Sequence, residues 1–152
     1  MIYVSNTEEL ILALNTSTGG EEILLAGSNY GDLSIWPGSL PDTDGRYDSE
    51  LIIKSADPND PAIFSSVGIS GGVNITFDSV ELHFTPGPED TTRTRLFNVG
   101  SWKLDGQNSE NIKIVNSKFI GEPSEYGGDP TDYLDVAAHG GNVIGMPTGI
   151  AI

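Results

Sequence analysis

The first apolar pattern in the chain is helical: Leu10, Ala13 and Leu14 recur at spacings that place them on one face of an α-helix. Asn6 stands before Thr7-Glu8-Glu9, and Glu9 follows it by three positions, as in a capping box with Asn in place of Ser or Thr. Gly19-Gly20 is the breaker behind it. Together these signals predict one short helix over about residues 7 to 15. From there the period changes. Short runs rich in β-branched and aromatic residues recur between Gly, Pro, Asn and Asp clusters: Glu22 to Leu25, Leu33 to Ile35, Leu51 to Lys54, Ala62 to Phe64, Val73 to Phe77, Val80 to Phe84, Leu96 to Val99, Ile112 to Ile114 and Lys118 to Ile120. The chain reads as all-β behind its leading helix.

Sandwich, barrel and solenoid all fit that pattern, and internal repetition separates them. The segment Asn74-Ile75-Thr76-Phe77-Asp78-Ser79-Val80-Glu81-Leu82 aligns without gaps over Asn111-Ile112-Lys113-Ile114-Val115-Asn116-Ser117-Lys118-Phe119. Each reads as one inward strand, a tight bend and a second strand. Asn74 and Asn111 open the two copies, where an Asn side chain bonds neighbouring backbone and tolerates the bend, a structural role. Ile52 precedes Ile75 by 23 residues, Ile112 follows it by 37, and Ile150 comes 38 later. A spacing of about 23 residues fits one turn of a parallel β-helix, and the longer spacings fit turns that carry loops. Three Pro- and Gly-rich inserts, about 36 to 50, 85 to 95 and 121 to 149, are expected on the surface. The helix at 7 to 15 is placed to cap the first coil, whose open end would otherwise expose core and strand edge. Residues 1–152 then form a single β-helix domain. The chain stops inside a strand-like Gly149-Ile150-Ala151-Ile152, so the reading expects the N-terminal part of a longer protein.

Charge narrows the partners. Lys and Arg total 7 against 22 Asp and Glu, a net charge of −15. Such a field repels phosphate backbones and anionic membranes, so neither nucleic acid nor membrane insertion is expected. With no cysteine there is no disulfide framework, thiolate catalysis or Cys-ligated metal site. The run Leu10-Ile11-Leu12-Ala13-Leu14 is far below the roughly 18 residues needed to cross a bilayer. Met1 leads straight into strand-like Ile2-Tyr3-Val4, so no Sec-type leader is expected.

Candidate chemistry lies mostly in the inserts. Between Glu122 and Asp135 the chain carries five carboxylates, and Asp129, Asp132 and Asp135 offer hard oxygens for a Ca²⁺ ion. The EF-hand order and the Gly-Gly-x-Gly-x-Asp repeat are both missing, and a solvated acidic loop is the competing reading. Trp36, Trp102, Tyr30, Tyr47, Tyr126 and Tyr133 flank or occupy loops, where ring faces stack on sugars or pad the loops against the solenoid. Arg93 and Arg95, near Lys103, suit the acidic group of a glycan or internal ion pairs. Asp78 and Glu81 sit on a strand and its bend, where a carboxylate pair is compatible with glycoside chemistry, although the position speaks for the scaffold and not for a catalytic motif. His83 alternates with Leu82 and Phe84 and is expected to face outward; with His139 it makes no metal-spacing motif. Gly68 to Gly72 lacks the Gly-Lys-Ser/Thr of a phosphate loop.

The opening Ile2-Tyr3-Val4-Ser5-Asn6-Thr7-Glu8-Glu9-Leu10, the strand Gly20-Glu21-Glu22-Ile23-Leu24-Leu25-Ala26-Gly27 and the coil Leu51-Ile52-Ile53-Lys54-Ser55-Ala56-Asp57-Pro58 carry a resemblance. They are similar to the N-terminal end of right-handed parallel β-helix proteins of the pectate-lyase-like superfamily. The order also resembles the start of alginate lyases and chondroitinases of that fold, and of β-helical spikes on tailed phages and gene-transfer particles. The likeness covers residues 1 to 84 and 111 to 120. It implies an all-β, right-handed parallel β-helix solenoid with a short N-terminal capping helix. In the lyases the catalytic Lys, Arg and calcium-binding carboxylates lie on middle coils of a longer solenoid, so no catalytic residue carries over; Lys54 and Lys118 match no catalytic motif. The function expected from this likeness is a structural, receptor-binding module of a phage or phage-like particle spike directed at cell-surface polysaccharide. Its partners would be other copies of itself or particle structural proteins, and its place the particle surface or the cell exterior. The alternative is the N-terminal part of a polysaccharide lyase or epimerase acting on uronic-acid polymers. A third reading is an adaptor that holds a fibre to a shell.

Overall fold

The computed structural model describes residues 1–84, 96–101, 108–121 and 136–139. The elements run β1 (Ile2–Val4), α1 (Thr7–Thr16), β2 (Glu22–Leu25), β3 (Asn29–Ile35), β4 (Arg46–Ser55), β5 (Ile63–Ser70), β6 (Val73–Asp78), β7 (Glu81–Phe84), β8 (Phe97–Gly100), β9 (Glu110–Val115), β10 (Lys118–Gly121) and β11 (Val136–His139). The described chain is mostly strand, in two parallel sheets, with one short helix. The first sheet is ordered β1-β2-β4-β6-β9. In the second, β3 pairs β5, and β5 pairs β7 along Ile63 and Phe64 and β8 along Val67 to Ser70. Strands β10 and β11 then pair β7 and β8. From β2 onward, each pass of the chain lays one strand in the first sheet and then one strand, or two short ones in line, in the second.

Parallel strands need their apolar face covered, and the register supplies columns of like residues to cover it. Ile2, Ile23, Ile53, Phe77 and Ile114 stack down the first sheet. Phe64, Leu82 and Phe119 stack down the second, beside Leu33, Val67 and Phe97. The two sets close on a single buried cluster. Aromatic rings cross it: Tyr30 stacks on Phe64 at 5.4 Å, and Phe77 meets Phe64 and Phe97 edge-on at 6.0 and 5.9 Å.

The helix is as the pattern predicts, one residue longer. Asn6 accepts from Glu9 N–H at 2.9 Å, and Leu10, Ala13 and Leu14 are buried. The Glu9 carboxylate accepts from the backbone N–H of Ser5 at 2.7 Å, one residue before the N-cap rather than on it. α1 touches β1, β2 and β3, so it covers the first pass. The gapless alignment of 74–82 over 111–119 matches the observed register, Ile75 on Ile112 and Glu81 on Lys118.

Several expectations are corrected. Leu51, not Ile52, lies beside Ile75, a spacing of 24; a one-residue slip exchanges faces, and Leu51 is buried where Ile52 is only half-buried. The insert placed at 36 to 50 is shorter, because β4 begins at Arg46, and Leu40 within it is fully buried. Strand β11 falls inside the insert placed at 121 to 149, and β5 runs on to Ser70 through Ser65, Ser66 and Gly68. The insert at 85 to 95 and the strand around Ile150 lie outside the described residues.

Candidate functional site

Where the chain turns from the first sheet into the second, the passes differ in length. Residues 56 to 62 join β4 to β5, whereas residues 79 and 80 join β6 to β7, and 116 and 117 join β9 to β10. The long turn is rigid for local reasons. Pro58 and Pro61 fix φ, the Asp57 carboxylate accepts from Asn59 N–H at 2.9 Å, and the Asp57 carbonyl accepts from Asp60 N–H at 3.0 Å. Ser55 Oγ accepts from Ala62 N–H at 2.9 Å, and Asp60 packs so closely on Gly27 that a Cβ there would strike its carboxylate. The two short turns bend through left-handed residues, Ser79 at φ 57° and Asn116 at φ 51°. Long turn above, short turns below: the result is a recess of about 100 Å³ lined by Pro58, Pro61, Ser79, Glu81, Asn116 and Lys118.

The recess is polar. Ser79 Oγ donates to Asp78 Oδ1 at 2.8 Å, and Asn116 Nδ2 donates to the same oxygen at 3.2 Å. Register places Glu81 beside Lys118, yet the Glu81 carboxylate turns to His83, whose Nε2 lies 3.0 Å from its Oε2. Lys118 makes no ion pair among the described residues. The other described cations are committed: Lys54 to Glu22 at 3.2 Å, Lys113 to Glu50 at 3.0 Å, and Arg46 to the carbonyls of Gly71 and Asn108. On the outer face of the first sheet the Thr76 hydroxyl and Lys113 together hold the Glu50 carboxyl below its ordinary range.

A second concave surface, an apolar groove of about 290 Å³, runs between β1 and α1 past Ile2, Tyr3, Leu12 and Ala13. Its one carboxylate, Glu9, is already bonded to Ser5, so the groove gathers no convergent polar groups.

The residues singled out from the sequence fare unequally. Tyr47 is only 3% exposed, and its hydroxyl donates to the Leu14 carbonyl at 2.6 Å; it holds the helix end and offers no ring face to a ligand. Tyr30 is likewise buried, donating to the Ala26 carbonyl at 2.9 Å. Burial pushes both phenols up to about 12. Trp36 is half-buried in the turn after β3, its ring packed on Gly38. Asp78 and Glu81 are engaged by different partners, and His83 is half-exposed while its neighbour Leu82 is buried. Trp102, Tyr126, Tyr133, Arg93, Arg95, Asp129, Asp132 and Asp135 lie outside the described residues. Among the described residues, no three His, Cys, Asp or Glu side chains gather as a metal site. No described helix is long and apolar enough to cross a membrane. The recess residues share no local motif; their signal in the sequence is the unequal spacing from Ser55 to Ile63 and from Asp78 to Glu81 around a matched register.

No protein-family model, curated protein or solved structure matches the chain.

Proposed function

We propose that the chain is a right-handed parallel β-helix and acts as a non-catalytic, glycan-binding module of a phage or phage-like particle spike, directed at cell-surface polysaccharide. The observation that carries the reading is the corner recess, where stacked passes with unequal turns leave Lys118, unpaired among the described residues, beside carboxylate and amide oxygens that no described residue takes up. Parallel sheets stacked pass on pass form a stiff platform, and side chains at its corners keep fixed spacings along the stack, which suits a repeating polymer. The recess is smaller than the roughly 300 Å³ usual for a buried small-molecule site, so a single contact is weak and tight attachment comes from many copies. Such a module works as an oligomer, with other copies of itself or particle proteins as partners.

The test is a glycan array probed with the purified chain, alone and clustered on a multivalent carrier. Retention of polysaccharide by the clustered chain, with no shortening of the polymer, is the expected result. Chain cleavage with new unsaturated uronate ends would replace this reading with the lyase one, and absence of any glycan binding would remove it.

A further inference from the structure

The recess also specifies what kind of sugar it takes, an inference that rests on the glycan-binding reading above. Its inventory mixes donors with acceptors. Among the described residues that line it, Lys118 is the one cationic donor, with three N–H groups, and Asn116 keeps a second amide N–H. Acceptors stand beside these donors: among the described residues Glu81 keeps Oε1 free because His83 takes Oε2, the Asn116 side-chain carbonyl is unengaged while one of its amide N–H groups donates to Asp78, and the Ser79 hydroxyl spends its proton on Asp78 and keeps lone pairs. A sugar edge bearing adjacent hydroxyls matches this set, with one oxygen accepting from Lys118 and neighbouring hydroxyls donating to Glu81, Asn116 and Ser79. A carboxylate or sulfate brings acceptors only. It would meet Lys118 and the second amide N–H of Asn116, leave the acceptor oxygens of Glu81 and Ser79 unmatched, and stand against the charges of Glu81 and Asp78.

The wider field points the same way. Net charge is −15, and Arg46, Lys54 and Lys113 are all engaged within the fold. Among the described residues no cationic track exists along which a polyanion would lie, and the summed field repels one at low salt. Pro58 and Pro61 add flat apolar surface at the rim, suited to the C–H face of a pyranose.

We infer that the recess beneath the 56–62 turn binds the hydroxyl-bearing edge of an uncharged sugar residue, and that the polysaccharide recognised is neutral rather than uronated or sulfated. Lys118 and Glu81 are its orienting pair.

The experiment is a titration of the isotopically labelled chain, followed through backbone amide shifts. Dextran, galactomannan and arabinogalactan fragments serve as neutral probes, and polygalacturonate and heparin fragments as anionic ones. At least one neutral probe is expected to shift the amides of Ser79 to Glu81 and Asn116 to Lys118. Lys118→Ala and Glu81→Gln, each checked for an unchanged amide pattern elsewhere, are each expected to weaken that binding about tenfold. Preferential binding of the anionic probes, growing as salt falls, would overturn the inference and leave the glycan-binding module standing. Neutral binding that ignores both substitutions would also overturn it, by moving the sugar to another surface. If neither the fragments nor the wider array bind, the inference falls together with the reading it rests on.

Discussion

Asparagine does work at the bends that an apolar residue cannot. Asn74 and Asn111 sit at φ 61° and 53°, a left-handed conformation that costs most L-residues about 1–2 kcal/mol and that Asn tolerates. Asn111 Nδ2 donates to Asn74 Oδ1 at 2.8 Å, and Asn74 Nδ2 donates to the Tyr47 carbonyl at 2.7 Å, so the side chains tie three passes together. Two substitutions separate conformation from bonding. Asn111→Gly keeps the backbone and gives up the bond, whereas Asn111→Ala gives up the bond and adds left-handed strain of about 1–2 kcal/mol. The midpoint of urea unfolding is expected to fall for both, further for Ala. Equal midpoints would deny the bend its energetic role. The buried phenols give a second residue-scale prediction. Tyr30 and Tyr47 lose their protons near 10 when unfolded and at about 12 when folded. The folded state therefore prefers the neutral ring, and the stability it gains is complete below pH 10 and lost as pH rises toward 12. Tyr47→Phe is expected to flatten part of that alkaline loss in chemical unfolding measured across the window.

Elements were legible where a local signal and the tertiary fold agree. Helix α1 has a capping residue and an apolar face, both found in place, since α1 covers β1, β2 and β3 with Leu10 and Leu14; it ends on Ser17, in extended backbone, before Gly19-Gly20 is reached. Removing its Asn6 cap by Asn6→Ala should cost about 1 kcal/mol, read as a lower thermal midpoint with unchanged strand content by circular dichroism. The matched Asn repeats gave the register of four strands for the same reason: the bend and the inward apolar positions recur together. Elsewhere the pattern misled. Leu51, Ile52 and Ile53 are all apolar, so alternation could not say which faces inward, and pairing with Ile75 through Leu51 was decided by the extra residues that β4 carries between Arg46 and Leu51. The second half of β5 is Ser- and Gly-rich because Ser66 and Gly68 face out, leaving only Val67 and Ile69 as inward signals. Tyr47 looked like a loop aromatic because its hydroxyl partner, the Leu14 carbonyl, lies 33 positions earlier.

At the scale of the whole molecule, the proposed function rests on stacking turns of unequal length in register. The recess belongs to no single segment: the 56–62 turn forms its roof, and the turns at 79–80 and 116–117 form its floor. That is why its residues were hard to read as a site, for Lys118 stands 57 positions after Pro61 and is adjacent to Glu81 only through register. A shift of one residue in the second sheet would turn Glu81 and Lys118 inward, and one in the first would bury Ile52 in place of Leu51. The most direct test is therefore a map of inter-strand nuclear Overhauser contacts on the labelled chain. The account predicts parallel-sheet contacts from Phe77 to both Ile53 and Ile114 and from Glu81 to Lys118. Antiparallel contacts, or Ile52 in register with Ile75, would contradict it and dissolve the recess with it.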